Sequence, residues 1–275
     1  MMQFERYIGI DYSGASTPDA RLPGLRVYVA EGNAPPREIR PEADPRKHWS
    51  RRALALWLAE TLRDGRPAAT GIDHAFSFPL RYFLHHEVSQ NWDDFLEDFC
   101  AHCPSDQSDV TIDALRSMQD RLALRAGDAR WRRTVEVLAG GAKSVFHFGV
   151  PGSVAKSTHA GLPWLRQLRV AMKERLHVWP FDGWRPAPGT SVIAEVYPAL
   201  WNRDFPREGL TGDQRDAYAI ASWLQHADAK GTLASALKPE LTDEEKSAAA
   251  IEGWILGVTW SLSPHARWLA GSGGH

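Results

Sequence analysis

Two aspartates in this chain share one local context. Asp11 ends the apolar run Tyr7-Ile8-Gly9-Ile10 and is followed by Ser13-Gly14, and Asp73 ends Gly71-Ile72. A carboxylate so placed stands at the carboxyl end of a strand, where open α/β sheets keep their ligand crevices. Two such acids point to one shared metal or phosphate site. Glu195 lies inside a third apolar run, Ser191–Val196, and Asp216 follows Asp213 by three residues where a helical stripe of Ala217, Ile220, Ala221 and Leu224 begins. Residues three apart share a helix face, with Cβ atoms about 5 to 6 Å apart.

Buried carboxylates without partners are costly, so acids drawn together imply bound cations or basic neighbours. Two divalent ions about 3.5 to 4 Å apart can clamp the attacking and leaving oxygens of a phosphodiester, which makes hydrolysis by activated water the matching chemistry. Asp11, Asp73, Glu195 and Asp216 are the candidate catalytic acids, with Asp213 beside them. Singly, each acid has a plainer role. Asp11 suits an Asx turn and Asp216 a helix N-terminus. Only the joint pattern favours a site.

The elements that must position these acids follow from periodicity. Leu25–Ala30 alternates as a half-buried strand and Glu38–Arg40 adds a third, giving an antiparallel meander with the Asp11 strand. From His48 to Leu62, the spacing of Trp49, Ala53, Leu56 and Trp57 predicts an amphipathic helix. Residues 91–135 read as inserted helices, with Trp92, Phe95, Leu96 and Phe99 as one stripe and Ile112, Leu115, Met118 and Leu122 as another. Ser144–Phe148 reads as a strand, Leu162–Leu176 as a helix and Phe181–Gly189 as a loop. Thr242 with Glu245 forms a capping box for a last helix that buries Ile251, Ile255 and Val258.

Composition bounds the class. A chain of 275 residues, 43% hydrophobic and 24% charged, fits one elaborated α/β domain over 1–260 with a helical insertion at about 85–140 and a loose tail at 261–275. Nothing resembles a signal peptide or a membrane span, so a cytoplasmic location and no membrane partner are expected. The formal net charge of −2 gives no global pull on nucleic acid. Local basic and aromatic stretches, Arg46–Arg52 and Arg130–Arg133, are the candidate nucleic-acid surface, although Trp49 belongs to a helix stripe. The lone pair Cys100 and Cys103 is a poor zinc site even with His85, His86 or His102 nearby.

Taken in order, Gly9-Ile10-Asp11-x-Ser13-Gly14, Gly71-Ile72-Asp73, Gly152-Ser153-Val154 with Gly161-Leu162-Pro163-Trp164-Leu165, Glu195-Val196-Tyr197-Pro198 and Asp213-x-x-Asp216-Ala217 resemble domain-of-unknown-function family 429, the predicted RNase H-like nucleases. The resemblance spans residues 6 to 257. It implies an RNase H-like mixed sheet flanked by helices, with Asp11, Asp73, Asp216 and Asp213 holding magnesium or manganese and nucleic acid as the partner. The paired aspartates also look like those on the last helix of Holliday-junction resolvases. Glu195 matches the family's Glu-Val-x-Pro motif, as a ligand or as a structural anchor.

Ser13, Ser153, Lys156 and Arg215 are the candidate substrate-binding residues. The stretch around Lys156 is no Walker loop, because Ala155 and Val150 stand where that motif needs glycine. Arg215 could instead pair with the helix aspartates in place of metal. His74 would point away from Asp73 along a strand, which favours a structural role. No Gly-x-Ser-x-Gly elbow supports a serine hydrolase. Three classes fit: a metal-dependent phosphodiester hydrolase, an actin-like-fold phosphotransferase whose phosphate turn would be Ser13-Gly14-x-Ser16-Thr17, and a non-catalytic binding protein of the same fold.

Overall fold

A computed structural model describes residues 3–41, 48–118, 125–150, 152–205 and 208–259. Arg46, Lys47, Leu122 and the tail 261–275 lie outside the described residues. The chain forms an α/β structure on a six-stranded mixed sheet. Strands β1 (Arg6–Asp11), β2 (Arg26–Glu31) and β3 (Arg37–Glu38) make the antiparallel meander, while β4 (Ala68–Asp73), β5 (Leu176–Trp179) and β6 (Ser191–Glu195) run parallel to β1. Across the sheet the order is β3-β2-β1-β4-β6-β5.

The two faces of the sheet bury different clusters. Ile8, Ile10, Val27, Val29, Ile72, Val178 and Ile193 join a core shared with α1 (Arg51–Arg63), α2 (Leu80–His86), α3 (Trp92–His102) and α6 (Ala155–Met172). The opposite face, with Tyr7, Ala30, Ala69, Val192 and Ala194, packs on α7 (Gly212–Ala229) and on the segment Trp254–Val258 after α9 (Asp243–Glu252). Alternate strand residues share a face, so Gly9 and Asp11 point with α7, as do Gly71 and Asp73.

Those glycines decide how close α7 comes. Gly9 and Gly71 are partners in the β1–β4 register. A Cβ on Gly9 would stand 2.1 Å from the Ala217 carbonyl oxygen, and one on Gly71 2.6 Å from Ile220 Cγ2. The helix therefore rests on bare backbone, with Ala217 and Ala221 as its own small contacts. Thr211 caps α7 in a reciprocal box with Gln214, which fixes the turn that carries Asp213 and Asp216.

Several elements differ from the sequence expectation. α1 begins at Arg51 behind the N-cap Ser50, and its buried side is Arg51, Leu54, Leu58 and Leu62. Leu56 is 66% exposed, and Trp49 is buried ahead of the helix with Nε1 donating to the Ile39 carbonyl at 2.8 Å. β3 is only two residues long. Ser144–Phe148 is a turn in which His147 N donates to the Ser144 carbonyl at 2.9 Å. Its alternation reflects Phe146 anchored against Phe78 and Tyr82, not a pleat.

α6 starts seven residues before the expected Leu162 and ends at Met172, and Leu176, the expected last residue of that helix, opens β5 instead. Pro163 lies inside α6 and cannot donate to the His159 carbonyl. The Ser105 hydroxyl donates there instead, at 2.7 Å. In the insertion, α3 buries Trp92, Phe95, Leu96 and Phe99 as expected, and α4 (Ile112–Ser117) buries Ile112 and Leu115, whereas Met118 is 45% exposed. No helix among the described residues is long and apolar enough to cross a membrane.

Candidate carboxylate site

Asp11 and Asp73 are directly opposite in the parallel β1–β4 register, at the carboxyl ends of both strands. The first turn of α7 overhangs them, because the helix lies on Gly9 and Gly71 one pleat earlier. The four aspartates act on one another. Burial lifts the Asp11 carboxyl well above the ordinary range, with Asp73, Asp213 and Asp216 pushing the same way. Burial, Asp216 and Glu195 push Asp73 up to about 8. Burial likewise raises Asp213, with Asp216 adding to it. This is like-charge crowding on top of desolvation.

A buried cation opposes it. Arg26, buried in β2, is the register partner of Asp11 across the antiparallel pair, and it draws down both Asp11 and Asp213. Its Nη1 donates to Glu38 at 2.8 Å, and Gln214 of α7 donates to the other oxygen of Glu38 at 3.2 Å. Asp216 is oriented by Asn202 Nδ2 at 2.8 Å, with Arg215 Nε at 3.7 Å. Tyr197, in the turn after β6, has its hydroxyl pKa raised by burial and by Asp73. Arg26, Asn202 and Tyr197 are additions to the residues read from sequence. Strand pairing alone could have signalled Arg26, and the Glu-Val-Tyr-Pro motif contains Tyr197.

Among the described residues, no three or more His, Cys, Asp or Glu side chains close around a point that would hold a metal ion. Asp11, Asp73, Asp213 and Asp216 share an electrostatic neighbourhood, not a finished coordination shell. Glu195 stands apart in its bonding. Both its oxygens are taken by the buried guanidinium of Arg133, Nη1 at 2.7 Å and Nη2 at 2.5 Å, and Phe76 N donates at 3.2 Å. Arg133 also binds Glu136 at 2.9 Å and the Glu252 carbonyl at 3.1 Å.

The other candidates divide. The Ser13 hydroxyl and the Asp213 carboxylate both border Gly24, 3.7 and 3.5 Å from where its Cβ would stand. Gly14 lies against the backbone of Lys156, so the loop after β1 meets the start of α6. Ser153 Oγ accepts from Ala155 N at 3.2 Å, and the exposed Lys156 is paired with Asp113 at 2.7 Å. Of the basic stretches, Arg51 and Arg133 are buried, Arg52 binds Asp19, Arg130 binds Asp128, and Arg132 donates to the Glu136 and Ala142 carbonyls.

His74 faces away from the acids. Its ring meets Tyr12 at 4.7 Å and abuts Gly161, and burial lowers its pKa to about 4. Cys100 and Cys103 are free thiols that burial pushes up to about 12. His102 donates to the Asp98 carbonyl, His86 to that of Ala126, and His85 packs on Trp131. Compared with family models, curated proteins and solved structures, the chain matches none.

Proposed function

We propose that this protein is a metal-dependent phosphodiester hydrolase of RNase H-like architecture, acting on nucleic acid. The observation that carries the reading is the mutual crowding of Asp11, Asp73, Asp213 and Asp216 at the ends of two adjacent parallel strands and the helix above them. An antiparallel meander followed by parallel strands, in the order β3-β2-β1-β4-β6-β5, supports the architecture, as does the motif resemblance to family 429.

The donor set fits a hard divalent cation. It is made of carboxylate oxygens, and magnesium and manganese favour such ligands. Protons held on Asp11 and Asp73 are what a divalent ion would displace. Asp11, Asp73 and Asp216 would hold the ion, with Asp213 beside them. When bound, the metal would polarise the phosphodiester and activate water. The chain's own contribution is placement: Gly9 and Gly71 seat α7, Asn202 fixes Asp216, and Arg26 offsets part of the negative charge. Glu195 serves in this account as the anchor of Arg133, tying β6 to the insertion and to α9.

The test is cleavage of labelled single-stranded, duplex and branched DNA and RNA by the full chain with manganese. Cleavage should stop on chelation and fall by more than about 100-fold in Asp11→Asn and in Asp73→Asn. Intact substrates throughout with folded wild-type protein, or undiminished cleavage by Asp11→Asn, would refute the reading.

A further inference from the structure

The helical insertion encloses a cavity of its own, about 140 Å³ in volume, where the end of α3, α4 and α6 meet the segment around Phe146. Ile112, Leu115, Phe146 and Phe148 supply its apolar wall. At the rim the exposed Arg116 lies with its guanidinium carbon 4.1 Å from the centre of the half-buried Phe148 ring. Arg116 makes no ion pair with a carboxylate among the described residues.

The polar part of the wall accepts hydrogen bonds. His159 borders the cavity among Phe78, Phe99, Phe146 and Phe148, and its Nδ1 is bonded to the Ala155 carbonyl of its own helix at 2.9 Å. A carbonyl can only accept, so the proton is on Nδ1 and Nε2 keeps its lone pair. Burial lowers the His159 pKa to about 4, and Arg116 acts the same way, so the ring is neutral at pH 7. His102 Nδ1 likewise donates to the Asp98 carbonyl at 2.8 Å and leaves Nε2 over. The Cys103 thiol, pushed up to about 12 by burial, stays protonated. His102, Cys103 and His159 do not close around one point as metal ligands would.

Size and wall chemistry select the occupant. A cavity of about 150 Å³ admits a benzene ring. One six-membered ring therefore fits here, and the fused rings of a purine do not. An anion inside would meet lone pairs, and an aliphatic group would leave the histidine acceptor unanswered. We propose that this cavity receives a pyrimidine base, whose N–H donates to His159 Nε2 while the phosphate of its nucleotide meets Arg116 at the rim. Uracil offers N3–H and cytosine its exocyclic amine, and either ring packs among Leu115, Phe146 and Phe148 as an extruded base does. His159 lies three residues along α6 from Lys156, whose backbone meets Gly14 in the loop after Asp11. A base held here would fix a strand relative to the carboxylates, a use that rests on the hydrolase reading, whereas binding of the base does not.

Calorimetric titration of the full chain in chelator, where no metal-dependent cleavage can occur, tests this apart from hydrolysis. The probes are uridine, uridine monophosphate, adenosine monophosphate, and short oligouridylate and oligoadenylate. Uridine monophosphate should bind at least about tenfold more tightly than adenosine monophosphate, and His159→Phe, which keeps a ring but removes the acceptor, should lose about tenfold. Arg116→Gln, a change at an exposed position, should weaken uridine monophosphate and leave uridine unaltered, and it serves if His159→Phe fails to fold. Tighter binding of oligouridylate than of the monophosphate identifies the ligand as a base within a strand, and equal binding identifies the free nucleotide. Binding of neither uridine ligand by folded wild type, adenine ligands that match the uridine ones, or affinities unchanged in both variants would overturn the assignment.

Discussion

Asp11 and Asp73 face each other as register partners at the carboxyl ends of β1 and β4, on the same side of the sheet as Gly9 and Gly71. The glycine two residues before each acid admits α7, and the acid then meets that helix's first turn. One three-residue pattern, used twice, therefore builds both the close packing and the charge cluster.

Asp73 makes stability depend on pH in a stated direction. Its folded-state value of about 8 lies above the ordinary 3.8, so the folded chain binds more protons through that range. Its full stabilisation is present below about pH 4 and is lost as pH rises through 8. Asp73→Asn should be more stable than wild type at pH 8.5, by about 2 kcal/mol once solvent screening of a half-buried group is allowed for. The gain should vanish near pH 4. Denaturant unfolding across this range measures it, and a gain that grows toward acid would contradict it.

Gly9→Ala should separate packing from charge. Its Cβ would meet the Ala217 carbonyl oxygen at 2.1 Å, and backbone cannot swing aside as a side chain does. A cost of about 1–3 kcal/mol is expected from overpacking. Manganese affinity should fall with it, since Asp213 and Asp216 ride on the displaced helix. Calorimetry on the folded variant checks this, and unchanged affinity would show that α7 need not sit so close.

Glu195 is predicted to be a structural acid. Glu195→Gln leaves Arg133 short of one charge in a buried setting and should cost about 3–5 kcal/mol. The triple replacement Arg133→Met, Glu195→Leu and Glu136→Gln, which leaves none of these three buried charges without a partner, should recover much of that loss. If Glu195→Gln instead abolishes manganese binding without loss of stability, Glu195 is a ligand and the anchor role is wrong.

Ser105 and Pro163 should be energetically coupled. Ser105→Ala orphans the His159 carbonyl that Pro163 cannot serve, at a cost of about 1–3 kcal/mol. In a Pro163→Ala background the restored N–H supplies a helical donor, so the same Ser105→Ala change should cost markedly less. A double-mutant cycle reads the difference, and strictly additive changes would deny the link.

Much of this was legible in the sequence wherever a local rule controls the outcome. The strand ends at Asp11 and Asp73, the α3 stripe and the Thr242 cap are all local. What escaped depends on distant partners. β5 is only Leu176–Trp179, too short to show a period, and it exists because β6 offers it a ladder. Ser144–Phe148 alternates like a strand but has aromatic neighbours instead of a strand beside it. Arg133 read as a basic surface because nothing near it in sequence reveals Glu195, 62 residues away. Arg26 was hidden for the same reason, as only the β1–β2 register sets it opposite Asp11.

Calorimetric titration of manganese at pH 7.5 into wild type and Asp11→Asn tests the central claim most directly. If the four aspartates form one cation site, wild type binds manganese with release of protons, and Asp11→Asn loses at least about tenfold in affinity while remaining folded. Absence of binding by folded wild type at millimolar manganese, or equal binding by Asp11→Asn, would contradict the account.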